Sequence, residues 1–257
     1  MMRVLCSLLL LCLSFAAHAQ QPREEVVLGL SQNRVSITAD FDGSEILIFG
    51  AIKRETAIPK QPLEVIVTIA GPSEPLIVRR KDKRFGIWVN TDANQIDSAP
   101  SYYAVATSGP FNDVLRHTED LRHKVSIARA IRSVGAPAEI GDSRAFTRAL
   151  IRIRQDNSLF QLLEGAVEVD QQTLFRTSIA LPANLTEGPY ETRIFLTRGG
   201  HVISQFETEI DVYKVGLERF LYNLSRSQPL IYGLLSLAIA IAAGWGASAA
   251  FRMLRQG

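Results

Sequence analysis

The chain carries only two cysteines, Cys6 and Cys12, and both fall in an apolar N-terminal run that reads as a removable leader. A mature protein without thiols forms no disulfide, no zinc-thiolate centre and no cysteine nucleophile. Soft metal ligands are equally scarce, because Met253 is the one methionine after the leader. His117, His123 and His201 remain, but no two stand four apart, so no metal ligand set is assigned. There is no G-x-S-x-G elbow and no S-x-x-K pair, and Gly199-Gly200 joins two strand-like stretches instead of preceding a helix. These absences assign no catalytic residue, no cofactor and no metal, and the chain is read as a non-enzyme. An excess of one charge is missing too. The sequence holds 28 Lys and Arg against 26 Asp and Glu, and setting aside Arg3, Arg252 and Arg255 leaves 25 basic residues against 26 acidic ones in the middle of the chain. A nucleic-acid partner is therefore not expected.

Long apolar runs occur at the two ends. The first follows Met1-Met2-Arg3, extends from Val4 to Ala17 and closes on Ala17-His18-Ala19 before Gln20. A charged start, a short apolar stretch and an A-x-A site describe a signal peptide cleaved after Ala19, with Gln20 as the new N-terminus. The second, Leu230 to Phe251, is uncharged over 22 residues and ends in Arg252 and Arg255. A helix of that length covers roughly 30 Å, the hydrocarbon thickness of a bilayer. Basic residues stay on the cytoplasmic side, so the expected location is the bacterial inner membrane in a single pass, with the bulk of the chain periplasmic and the C-terminus cytoplasmic.

Between the runs the fold reads as mainly β: immunoglobulin-like sandwich domain(s) with a helical insert, plus the C-terminal transmembrane helix. Residues 1–19 are the leader and 20–108 an N-terminal sandwich, in which Val35, Ile37 and Ala39, then Ile46 and Ile48, then Val65, Val67 and Ile69 alternate with polar neighbours. Residues 109–164 form the insert, with Pro110 at a helix start and Phe146, Ala149, Leu150 and Ile153 on one face of a later helix that Asp142 or Ser143 caps. Residues 165–213 return to β, where Phe175, Thr177, Ile179 and Leu181 alternate and Gly199-Gly200 turns a hairpin. Tyr190, after Leu185-Thr186-Glu187-Gly188-Pro189, resembles a tyrosine corner bonded to upstream backbone. An amphipathic segment, 214–228, carries Leu217, Phe220, Leu221 and Leu224 into the span at 229–251, flanked by Tyr222 and Tyr232, and 252–257 form the tail. The two β regions form either separate domains or one composite core.

Two places stand out as candidate contacts. Arg79, Arg80, Lys81, Lys83 and Arg84, interrupted only by Asp82, lead into an aromatic stretch with Trp88, which reads as a partner or anion contact or as a charged hairpin turn. In the span, Ala240, Gly244 and Ser248 recur every four residues, a stripe on which a second membrane helix can dock.

The runs GLSQNRVSIT (29–38), FDGSEILIFGAI (41–52), VRRKDKRFGIWVN (78–90), LFRTSIALPANLTEGPYETRIFL (174–196) and KVGLERFLYNLSRSQPLIYG (214–233) resemble the alphaproteobacterial single-pass transmembrane family Alph_Pro_TM. That resemblance implies an envelope protein without assigned catalytic residues, and a multi-span permease of sulfite-exporter type as its integral-membrane partner. The expected function is a membrane-anchored periplasmic accessory or interaction protein. The alternatives are a periplasmic small-anion-binding module or a β-sandwich hydrolase.

The orientation is directly testable, because the mature chain has no cysteine of its own. His201→Cys is expected to react with a membrane-impermeant maleimide in intact spheroplasts, and Gln256→Cys only after permeabilisation. The opposite labelling pattern inverts the topology.

Overall fold

The computed structural model describes residues 24–32, 34–37, 41–54, 57–133, 143–214 and 217–256. The expected leader with its cleavage site at Ala17, Ala19 and Gln20, the strand position Ala39 and the cap Asp142 lie outside them. The chain is mainly β. Its strands are β1 (Glu25–Leu30), β2 (Arg34–Ile37), β3 (Gly43–Lys53), β4 (Glu64–Ala70), β5 (Ser73–Arg84), β6 (Ile87–Pro100) and β7 (Tyr103–Thr107). Helices α1 (Phe111–Val114), α2 (His117–His123), α3 (Ile127–Ala130) and α4 (Ser143–Asp156) follow. Then come β8 (Phe160–Leu163), β9 (Glu168–Asp170), β10 (Leu174–Pro182), β11 (Gly188–Arg198) and β12 (His201–Lys214), and finally α5 (Leu217–Ser227) and α6 (Pro229–Gln256).

Three layers result. One sheet has the order β1-β3-β10-β9, the second β2-β12-β11-β4-β7-β8, and β5 pairs only with β6. Strands from both sides of the helical segment share each sheet: β10 pairs antiparallel with β3 (Thr177 opposite Ile48) and β11 with β4 (Ile194 opposite Val67). β1 joins the first sheet, whereas β2 runs parallel to β12 in the second, with Arg34 opposite Asp211. The period of two explains the first core. Ile46, Ile48, Phe175, Ile179 and Leu181 from one sheet meet Val65, Val67, Ile69, Ile194 and Leu196 from the other.

The opposite face of the second sheet is buried as well. Ile66, Val105, Tyr103 and Phe195 pack under Val114, Leu115, Val125, Ile127, Leu150, Ile96 and Ala99 from the helices and the β6 strand. For this reason β4 and β11 depart from simple alternation: Ile66, Thr68, Phe195 and Thr197 are buried along with their inward neighbours. Tyrosines tie the layers together. Tyr102 donates to the Ala180 carbonyl (3.0 Å), Tyr103 to that of Val125 (2.8 Å), and Tyr190 to that of Thr186 (2.8 Å), the upstream bond of a tyrosine corner. Burial pushes the Tyr103 and Tyr190 phenols up to about 12 and raises that of Tyr102 too.

At the end of the sandwich away from Lys214, a buried carboxylate gathers five chain segments. Glu24 accepts from Arg54 Nε (2.6 Å) and Arg198 Nη2 (2.8 Å). Arg54 also donates to Thr173 Oγ1 (3.2 Å) and the Gln172 carbonyl, and Arg198 to Gln172 Oε1 (3.1 Å) and the Gln61 carbonyl. Burial alone raises the carboxyl pKa, but the hydrogen bonds and charges of Arg198 and Arg54 outweigh it and hold Glu24 below its ordinary value.

At the other end β12 leads within two residues into α5 and then α6. The stretch Pro229–Ser248 is long and apolar enough to cross a membrane, and none of it is buried against the rest of the chain. Among the juxtamembrane side chains, Leu221 and Leu224 are half-buried, and Tyr222 and Tyr232 are exposed; the side chains of Leu217 and Phe220 lie outside the described set.

A depressed folded-state pKa means that the ionised Glu24 stabilises the fold above the unfolded carboxylate value of about 4.3, and that this contribution disappears as pH falls through the folded value. Glu24→Gln strands two buried guanidiniums and is expected to cost about 3 kcal/mol at pH 7 in denaturant unfolding. The gap from the parent should narrow below about pH 4. A pH-independent gap overturns the assignment.

Candidate functional site

The hairpin β5–β6 is where the sequence marked a contact. Its root begins directly after Gly71-Pro72, and Pro72 lies against Gly188, where an added Cβ would come within 2.5 Å of Pro72 Cγ. Gly188 pairs with Val212, two residues before the end of β12. The root therefore sits at the same end of the sandwich from which the chain leaves for α5 and α6. Leu76, Val78, Ile96 and Ala99 hold it to the second core, and Arg80 stacks its guanidinium on the Phe146 ring of α4 at 5.0 Å.

Beyond the root the hairpin leaves the body. The register shifts between Arg80 and Lys81, a bulge that bends the ribbon, and the strand residues past it are exposed except for half-buried Val89 and Thr91. Successive side chains alternate faces, so Lys81 and Lys83 share one face with Asn90 and Trp88, whereas Asp82 and Arg84 share the other with Val89 and Ile87. Asp82 lies 3.9 Å from Arg84 and Asp92 lies 3.5 Å from Arg80, both at solvent-exposed positions where such pairs contribute little. The arm thus stays strongly cationic along its length.

The sequence placed the basic run either at a contact or in the turn itself. The structure puts Arg79–Arg84 within β5 and the turn at Phe85-Gly86, with Arg84 opposite Ile87. Both turn residues have positive φ, 51° at Phe85 and 86° at Gly86, as a two-residue I′ hairpin loop requires. Glycine bears that conformation freely; for an aromatic it costs of order 1 kcal/mol. Phe85 is nonetheless fully exposed, with Ile87 (65%) and Trp88 (68%) exposed beside it. Phe85 and Ile87 were not singled out in the sequence; the F-G pair ahead of an alternating strand was the available signal.

A second basic feature lies on the helical layer. In α4, Arg144, Arg148 and Arg152 recur every four residues, and no acidic residue occupies the first turn. Like charges at that spacing cost roughly 0.2–0.5 kcal/mol per pair, and a cation in the first turn opposes the helix dipole. Phe146 and Leu150 bury the opposite face, and Arg154 Nη1 donates to the Ser101 carbonyl (3.3 Å). Between α3 and α4 an open groove of about 910 Å³ is lined in part by Arg129, Arg144 and Arg148.

Two of the three histidines, His123 and His201, are brought near one carboxylate. Buried Glu119 lies 3.5 Å from Arg122, 3.6 Å from His123 and 3.9 Å from His201. Arg116 Nη1 donates to His201 Nε2 at 2.7 Å, which places the ring proton on Nδ1, facing Glu119. Among the described residues no three His, Cys, Asp or Glu side chains are grouped to hold a metal ion. In α6, Ala240, Gly244 and Ser248 are exposed, and nothing lies within 4 Å of where a Cβ on Gly244 would point.

Residues 25–253 match the model of the family described as Putative transmembrane protein (Alph_Pro_TM). No curated protein matches the chain.

Phe85→Asn restores the residue type that an I′ turn favours. It is expected to stabilise the hairpin by about 1 kcal/mol, read as slower amide exchange at positions 81–90. Unchanged or faster exchange overturns the reading of Phe85 as strained.

Proposed function

The chain belongs to this transmembrane family, and from that premise we propose that it is a non-enzymatic accessory protein of the bacterial inner membrane. Its β body faces the periplasm and presents the β5–β6 arm to an integral-membrane partner. The observation that carries this reading is Phe85: a bulky aromatic held at positive φ, fully exposed, at the end of a cationic ribbon. Strain of that kind is kept where a contact repays it. The position of the arm supports a membrane-side partner, since its root adjoins the end of the sandwich that continues into α6.

Exposed aromatics flanked by Arg and Lys resemble the anchor residues of protein interfaces, in which aromatics and Arg are enriched at the buried centre. The small-residue stripe of α6 offers a second line of contact within the bilayer. A multi-span permease, of the sulfite-exporter type that the family resemblance suggests, is the candidate partner.

Photo-crosslinking in cells tests this reading. p-Benzoylphenylalanine at position 88 is expected to form an adduct with an integral-membrane protein, and Lys81→Glu with Lys83→Glu should abolish it. The same probe at Val27, exposed on the other sheet, serves as the control. Equal adducts at both positions, or adducts only with lipid, overturn the proposal.

A further inference from the structure

The β5–β6 ribbon is held to the body by two kinds of contact, and they change over along its root. Next to the sandwich the contact is apolar and backbone-bonded. Leu76, Ile96 and Ala99 pack in the second core, Ser98 and Arg132 exchange backbone hydrogen bonds (3.1 and 2.8 Å), and the Ser101 N–H donates to the Pro72 carbonyl (2.8 Å). Farther out the side turned to the body becomes polar. Residues directly opposite in an antiparallel pair share a face, so Leu76 with Ile96 is followed on that face by Val78 with Asn94, and then by Arg80 with Asp92. Helix α4 packs against both strands.

The polar stretch is poorly compensated. Asn94 is fully buried, yet no protein group bonds to its Oδ1 or its Nδ2. A buried amide without a partner forgoes the hydrogen bonds it makes to water, which opposes docking. One rung farther out, Arg80 lies over the Phe146 ring at 5.0 Å and 3.5 Å from Asp92, and both charged groups are about half exposed, so the stacking and the ion pair are screened. Val78 is only half-buried. Past Leu76 and Ile96 the ribbon is therefore weakly docked on α4, whereas the rungs before them are part of a core.

We propose that the β5–β6 arm is a hinged latch: the Val78/Asn94 and Arg80/Asp92 rungs dock on α4 through Arg80 and Phe146 and release from it together, with the Leu76/Ile96 rung as the pivot. Release returns the Asn94 amide to water and uncovers the Phe146 ring, while Ile96, Ala99 and the Ser98/Arg132 bonds stay in place. Residues 87–94 span roughly 26 Å, so a tilt of about 20° at the pivot carries the turn through roughly 9 Å. The arm thereby meets a partner surface at more than one distance from the body. That coupling to a partner rests on the reading of the arm as a contact; the pivot itself does not.

Hydrogen exchange of the full chain in maltoside micelles tests the pivot without any substitution. A two-stranded ribbon is marginal alone in water, so release opens its ladder to exchange. The hydrogen-bonded amides of residues 78–80 and 92–94 are expected to exchange at least ten-fold faster than those of 96–99; equal protection overturns the latch. Asn94→Leu removes the unpartnered amide at similar volume and should slow the outer rungs at least three-fold, whereas Arg80→Gln should speed them by as much, with 96–99 unchanged in both. Faster exchange in Asn94→Leu, or no change in either variant, overturns the docking argument. Thermal unfolding checks that each variant folds; if Asn94→Leu does not, the parent contrast and Arg80→Gln still decide. The coupling is read separately, from the photo-adduct at position 88, which Asn94→Leu should reduce at least three-fold. An undiminished adduct overturns the coupling and leaves the partner reading intact. No adduct in the parent overturns the partner reading and the coupling with it, while the exchange contrast still decides the pivot.

Discussion

The second sheet has to be covered on both faces, and most of the architecture follows from that need. β4 and β11 present Val65, Val67, Ile194 and Leu196 to one core and Ile66 and Phe195 to the other. Fully burying each such aliphatic or aromatic side chain contributes on the order of 1.5–3 kcal/mol, so neither face can be left in water. The first sheet covers one side. The helices α1 to α4 and the root of the β5–β6 hairpin cover the other, which is why a segment of short helices interrupts an otherwise β chain. It also explains how a two-stranded ribbon, marginal alone in water, stays ordered: its root is part of a core.

Where burial is one-sided the sequence was readable. β10 follows strict alternation, with Phe175, Thr177, Ile179 and Leu181 buried and Arg176, Ser178 and Ala180 exposed, and β12 shows the same period around a Gly-Gly turn. Where burial is two-sided the pattern weakens, and Ile66 and Phe195 gave no hint of a second core. The length of the hairpin was hidden for a different reason. Six largely basic residues look like a loop in a linear reading, whereas in the structure they continue β5, because cross-strand pairing tolerates cations that point into solvent. The Glu24 cluster was illegible in principle: Arg54 and Arg198 are 144 positions apart, and only the closing of the sandwich brings them to one carboxylate. The α3–α4 groove was not legible either, because the convergence of Arg129 with Arg144 and Arg148 is tertiary.

The two basic features differ in what holds them. Arg80 is tied to the body by Phe146, and the cations beyond the bulge, Lys81, Lys83 and Arg84, stand at exposed positions of the ribbon. Those of the groove are carried by helices whose other faces, through Leu150 and Ile127, belong to the second core. An arm of the first kind suits a partner that supplies its own surface. A nearly neutral chain can therefore carry two concentrated positive regions, because the acidic residues are spread over other surfaces, such as Glu207, Glu209 and Asp211 along β12.

The manner in which β12 leaves the sandwich has a mechanical side. This 14-residue strand is flanked by β11 along its length and by β2 over its last residues, and it continues within two residues into the helix that precedes the apolar span. A pull between body and span acts along the strand axis, across hydrogen bonds that lie perpendicular to it, so many rungs are loaded together instead of one after another. The ladder yields by shear and not by unzipping. Tension applied through the span is consequently carried into the second sheet through β12, and the body follows as a unit before any strand peels away.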